Sequence, residues 1–489
     1  MRVFLAVHLP KLPLEVFRPK WSPEPAHGSA VLEKDKVVIA DATARLAGVR
    51  LGMKRGGVLT LSPETEMHER EIGREGAAQR EVGIALMRFS PEVALLDEAT
   101  VVVEVGASLR LFGGLLVLSR EAKAVLGALG FTARISAAPT GQGAWLLAKY
   151  GNRRVLKLAS LEHRLSALPM TAVPEVRPFF DWFNGLGCET IADIRRLPRA
   201  GLQRRCGEHL LDSLDRAFGS APELFDWLEL PPTFSARIEM PDRLEHADGA
   251  VFAAHRLIVQ LCGWLCAKQL AVTGVRLSLE HERGRDAIEP TIVDIALGEP
   301  TWREEHLVRL LKERLHRIEL AAPMIALCLD ATNVESAAPA SDTLFPEPGG
   351  SKEDHQKLLE LLVARLGEDN VLRPAPTADH RPEVANHWIP VSQKRKSDTL
   401  PEGLPRPTWM LDTPVRLLMR KHRPFYGSPL RMVSPGERIE AGWFDGELVT
   451  RDYFVAQGED TSCYWIYRER VSSRDAEEEQ RWFLHGLFG

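Results

Sequence analysis

The chain has 489 residues, 45% of them hydrophobic, and a formal net charge of −5; its length suits about three to four domains, and its mild acidity excludes a uniformly basic nucleic-acid binder. The unbroken apolar runs fall short of the roughly 20 residues that span a bilayer. The opening MRVFLAVHLPKLPLEVF also lacks the basic region, long apolar core and cleavage site of a signal peptide, so a cytoplasmic location with no membrane partner is expected. Six scattered cysteines exclude a disulfide framework, and Cys262 and Cys266, one helical turn apart in LIVQLCGWLCAKQL, read as core residues rather than metal ligands.

In chain order, VFLAVHL reads as a strand. KVVIADATARLAGVRLGMKRGGVLTLSPE then gives strand, helix and a glycine-punctuated turn. LLDEATVVVEVGASLRLFGG holds a fully buried strand from Thr100 to Val105, and after a helix around Ser119–Leu129 comes ARISAAPTGQGAWLLAKYG, a strand and a helix. Its Pro139–Gly143 loop could offer backbone N–H groups to an anion, but a single Gly-x-Gly is a weak signal and a plain turn the preferred reading. Leu168–Phe225 is a run of short helices with a glycine-rich turn in NGLGCETIADIRRLP. Beyond Pro231–Pro232 the order strand, helix, two strands, helix, strand is a split βαβ unit. From Asn333 an Ala/Pro/Ser/Gly-rich linker follows, with Leu344 and Phe345 in it, then the helix KEDHQKLLELLVARLG and a strand-rich C-terminal region. Within that region Arg381–Arg431 carries ten Lys/Arg against four Asp/Glu, and Met432–Gly489 carries six against twelve. An anion-facing segment followed by an acidic one is the expectation, two solvated faces of one domain the alternative. The terminal Trp482, Phe483, Leu487 and Phe488 either dock on their own domain or anchor a partner.

Four of these stretches, in this order, resemble the Y-family (translesion) DNA polymerases: the first strand, the Gly48-Val-x-x-Gly52-Met53 turn, the LFGG strand and the Gly185-x-Gly187-x-x-Thr-Ile turn. The resemblance covers roughly residues 1–335 and implies an α/β (α+β) fold. A palm at 1–165 would carry inserted fingers at about 20–75, followed by a helical thumb at 166–230 with a degenerate helix-hairpin-helix and a little finger at 231–335. Beyond them would lie a linker at 336–350 and a mostly-β partner-binding region at 351–489. The family holds magnesium with carboxylates; here Ala6 and His8 take the first strand's two aspartate places. In an ungapped superposition Ala99 and Thr100 take the later pair, leaving Asp97 and Glu98 two residues early. Such a slip moves a side chain by roughly 6–7 Å. Glu15 takes a later glutamate's place, Lys11 that of an aromatic, and Lys149 is not placed on the family's phosphate lysine. Arg45 matches an arginine on the incoming triphosphate, Ala42 replacing its tyrosine. Gly185 and Gly187 match a phosphate-gripping turn, while Glu175, Val176 and Arg177 replace the first hairpin's glycines. Arg276 is a possible phosphate contact on the little-finger sheet.

The lost ligands and long extension resemble the catalytically silent members encoded in bacterial SOS mutagenesis cassettes. That implies an adaptor, not an enzyme, with no cofactor or metal, that binds DNA, the β sliding clamp, a RecA-like partner and an error-prone C-family polymerase. Ser341, Leu344 and Phe345 resemble the Gln-x-x-Leu-Phe clamp peptide, Ser341 standing where glutamine is usual. Two other readings stay open: an active Y-family polymerase that uses Asp97 and Glu98 through a local bulge, and an architectural DNA-binding protein.

Overall fold

The computed structural model describes residues 2–23, 25–282, 288–337, 352–393, 406–444, 446–470 and 481–488. They fall into two compact units, Met1–Arg365 and Leu366–Gly489.

The centre of the first unit is an antiparallel sheet in the order Val93–Leu96, Thr100–Glu104, Phe4–His8, Arg134–Ala138. Both faces of the Phe4–His8 strand are covered, which is why its sequence lacks polar alternation. Phe4 and Ala6 face the helix Gly141–Tyr150 and the short helices beyond it. Leu5 and Val7 face the helices Ile72–Leu86 and Leu115–Ala128. A smaller sheet joins Ser29–Glu33 to Lys36–Ala40 and, in parallel, to Glu66–Glu69.

Residues 235–336 form a second four-stranded sheet in which Met324–Ser336 lies between the mutually parallel Ser235–Leu244 and Leu270–His281, with Thr291–Thr301 on the outer edge. This is the split βαβ order. The helices Val251–Lys268 and Glu304–Leu315 cover one face. By length and composition alone the stretch Ala247–Lys268 could cross a bilayer. Its apolar side chains instead fill the core of this unit, and Cys262 is fully buried among them. At Gly263 this helix meets Ile84 so closely that a Cβ would lie 2.2 Å from the Ile84 carbonyl oxygen. The helix Lys352–Leu366 also packs here: Glu360 accepts from the Gly298 N–H at 2.7 Å and pairs with His306 at 2.6 Å. Nearly all of this helix thus belongs to the first unit.

The second unit is an antiparallel sheet in the order Trp409–Arg416, Trp482–Leu487, Cys463–Glu469, Val449–Gln457, Arg431–Met432, with Glu437–Ala441 also paired to Val449–Gln457. A three-stranded ribbon, Leu418–Arg420, Arg423–Tyr426 and Ser428–Pro429, follows the first strand directly.

Candidate functional site

The carboxylate positions predicted from the sequence meet at one end of the central sheet. Ala6 is fully buried and lies opposite Val102 and Ser136; His8 lies opposite Thr100 and Arg134. The Ala6–Val102 rung therefore offers no carboxylate. His8 Nδ1 lies 3.0 Å from the Glu98 carbonyl oxygen, to which it donates, and 3.1 Å from Thr100 Oγ1. Burial, reinforced by the nearby Arg134 and Lys149, pushes the His8 pKa down against the effect of that bond, so its neutral form is favoured.

Asp97 and Glu98 stand in the turn between two strands, outside the ladder, where Glu98 and Ala99 hold left-handed φ values of 55° and 51°. Gln79 fixes this turn by donating to the carbonyls of Leu96 at 2.7 Å and Thr100 at 2.8 Å. Asp97 is exposed and, among the described residues, makes no side-chain hydrogen bond or ion pair. Glu98 is engaged on both sides, by Lys149 from the Gly141–Tyr150 helix and by Arg177 from the 3₁₀ segment Pro174–Phe179. Lys149 also donates to the Ala172 carbonyl at 2.9 Å and lies 4.9 Å from the Trp145 ring centroid. Burial alone would raise the Glu98 pKa, but the bonds from Arg177 and Lys149 outweigh it and hold the carboxyl below its usual range. Lys149 is itself pushed down by burial, against the pull of Glu98. The residues do not fit a magnesium pair. That ion needs several oxygen ligands at near-octahedral geometry, yet Ala6 supplies none and Glu98 is already neutralised by two cations.

Places where phosphates would be taken are likewise filled from within. At the N-terminus of the Gly141–Tyr150 helix, Glu223 accepts from the N–H groups of Gly141 at 2.7 Å and Gln142 at 2.6 Å. The N–H groups at this helix start are thus taken by the chain's own carboxylate. In the hairpin between helices Phe180–Gly185 and Ile191–Arg196, Gly187 holds φ 71° and its N–H goes to the Asn184 carbonyl. The next donors, Glu189 and Thr190, bond the Asp193 carboxylate at 3.2 and 2.9 Å. Gly185 belongs to the preceding helix. Arg276, a possible phosphate contact or part of a solvated sheet face, pairs with the cross-strand Asp294 at 2.7 and 3.1 Å. On the open face of its sheet Arg237 and Arg276 stand beside Glu239, Glu280, Asp294 and Asp330, a balance that repels a phosphate backbone. Arg45 is exposed, its Nε donating to the Asp41 carbonyl at 3.1 Å.

No family model matches the chain. The protein ImuB of Caulobacter vibrioides, in each of two strains, is 24% identical over 470 residues, spanning 90% of this chain and 100% of the relative. The chain is similar to ImuB over most of its length. A solved chimaeric Y-family DNA polymerase overlaps 68% of this chain and 99% of its own length, at 15% identity and a TM-score of 0.37.

In this chain the terminal Trp482, Phe483, Leu487 and Phe488 dock on their own unit, the first of the two alternatives that the sequence left open. Trp482–Leu487 is an inner strand of the second unit's sheet; Trp482 and Leu484 lie in its core, and Phe483 and Phe488 pack against its other face. Leu487 pairs with both Trp409 and Tyr464. Backbone pairing on both sides, which hydropathy does not show, decides this. Ser341, Leu344 and Phe345 lie outside the described residues. The residues that sequence reasoning missed are the internal partners, Lys149 and Arg177 for Glu98, Glu223 for the helix start. None is within thirty residues of what it neutralises, so no local pattern could have found them.

Proposed function

We propose that this ImuB-like chain is a non-catalytic adaptor, shaped like a Y-family polymerase, in SOS-induced error-prone translesion DNA synthesis. In this reading it links DNA, the β sliding clamp, an ImuA-like RecA-fold protein and an active C-family DNA polymerase in the cytoplasm. The observation that carries it is the end of the central sheet: Ala6 faces Val102, and Glu98 is held by Lys149 and Arg177. Two-metal phosphoryl transfer needs carboxylates free to hold cations against the attacking and leaving oxygens. Protein cations occupy that role, so the alternative of an active polymerase using Asp97 and Glu98 loses its support. The likeness to ImuB supports the coarse class; the clamp, the RecA-fold partner and the C-family polymerase belong to the proposal.

The test has two arms. Purified full-length protein is expected to show no magnesium-dependent primer extension, and extension that disappears in an Asp97→Ala, Glu98→Ala variant would overturn the adaptor reading. Immobilised protein is expected to retain the clamp and the C-family polymerase from purified mixtures. Retention of neither, with DNA binding intact, would favour an architectural DNA-binding protein instead.

A further inference from the structure

Several arginines of the second unit are neutralised at home. Arg406 pairs with Glu437, Arg451 with Glu383, Arg438 and Arg468 with Asp452, and Arg381 with Asp379. The ribbon after the Trp409–Arg416 strand is different. Arg416, Arg420, Lys421 and Arg423 are all exposed, and among the described residues none of them has an ion-pair partner. From Trp409 to Arg431 the chain carries five Lys/Arg and the single carboxylate of Asp412.

The placement of these cations is unfavourable for the isolated fold. Arg420 and Arg423 stand directly opposite each other on the ladder, a like-charge rung that destabilises a hairpin. Between them Lys421 and His422 form the turn with left-handed φ values of 49° and 60°, in a two-residue geometry that favours Asn-Gly. Arg420 lies over the Phe425 ring at 4.0 Å, which orders the guanidinium without cancelling its charge. A cluster this repulsive, with no anion paired to it among the described residues, is one that an external anion relieves.

Beside it lies a shelf of rings. Tyr426, the last residue of the ribbon's second strand, is 42% exposed and meets Tyr464 at 5.4 Å between ring centroids. Tyr464 and Trp409 both pair with Leu487 from opposite sides, so they share a face of the sheet, roughly 10 Å apart by the strand spacing. Trp409 is 68% exposed. Unpaired cations next to accessible aromatic faces are what a flexible polyanion carrying planar bases fits. A duplex offers the phosphates but keeps its base faces stacked, and an acidic peptide offers charge without bases.

We propose that the Leu418–Tyr426 ribbon and the Tyr426–Tyr464–Trp409 shelf form a binding surface for single-stranded DNA. The surface belongs to the second unit alone. It does not rest on the adaptor reading, and it stands apart from the self-neutralised phosphate sites of the first unit.

The test is fluorescence anisotropy of full-length protein with labelled dT20 across a salt series, beside a blunt duplex of equal length and a labelled polyglutamate. Replacing Arg416, Arg420, Lys421 and Arg423 together by alanine is expected to weaken dT20 binding at least tenfold. It should also lower the slope of log affinity against log salt by about 3, at roughly 0.7 per phosphate contact. Trp409→Ala with Tyr426→Ala is expected to weaken dT20 at least fivefold and to leave the duplex unchanged. As a control against misfolding, Lys421→Asn with His422→Gly suits the turn better, so it should keep or raise the melting temperature while still weakening dT20. Unchanged dT20 affinity and slope in the fourfold variant would overturn the proposal. So would equal losses for the duplex, or polyglutamate bound as tightly as dT20 and lost in parallel.

Discussion

The Glu98 clamp gives the most direct test of the central site. Glu98→Ala would leave Lys149, whose side chain is 9% exposed, without its carboxylate. Removing one partner of a fully buried pair costs about 3–5 kcal/mol. Glu98 and Arg177 are 27% and 48% exposed, so water recovers part of that loss, and Lys149 keeps the Ala172 carbonyl and the Trp145 ring. The expected destabilisation is therefore about 1–3 kcal/mol, the size of a charged hydrogen bond. It would be read from urea unfolding followed in the first unit. Adding Lys149→Met should restore part of it, because the orphaned ammonium is then gone, giving a coupling of roughly 0.5–3 kcal/mol in the double-mutant cycle. The sign of the pH dependence follows from the depressed Glu98 pKa. The clamp's contribution is fully present above the unfolded carboxyl's pKa and is lost as pH falls through the folded one, so Glu98→Gln should flatten stability in that acidic window. A Glu98→Ala protein as stable as wild type, with purely additive Lys149→Met, would refute the reasoning.

Glu223→Ala should free the N–H groups of Gly141 and Gln142, so millimolar phosphate is expected to raise the melting temperature of that variant and not of wild type. Trp482→Ala removes a core ring that packs on Phe454 and should cost about 3–5 kcal/mol in the second unit, with loss of its near-ultraviolet circular dichroism; a native-like spectrum would return the residue to the surface. Replacing Leu344 and Phe345 by alanine should weaken β-clamp binding more than tenfold at unchanged melting temperature, since each side chain gains on the order of 1.5–3 kcal/mol when covered. Equal clamp affinity would move that contact elsewhere. Truncation from Met432 onward, a natural way to remove the acidic region, should unfold the rest of the second unit because it deletes the inner strands of the sheet. A folded remnant by hydrogen exchange would contradict the observed strand order.

What the sequence determined by itself was local. The buried strand beginning at Thr100, the split βαβ order after Pro231–Pro232, the glycine turn at Gly187 and the absence of a carboxylate at Ala6 were legible because each rests on residue type and spacing over a few positions. Charge was legible as a composition, so the basic stretch ending at Arg431 stood out before its geometry was known. The tertiary structure decided which charges are spent. Arg276 pairs with Asp294 across the strand, and the N–H groups after Pro139 go to Glu223, neither of which the sequence shows. Glu98 looked like a displaced metal ligand until Lys149 and Arg177 closed on it. The terminal aromatics, ambiguous by hydropathy, became an inner strand through backbone pairing on both edges. The physical reason is common to all four: a side chain's role depends on which distant group neutralises or covers it, and that pairing is a property of the folded contacts, not of the neighbouring residues in the chain.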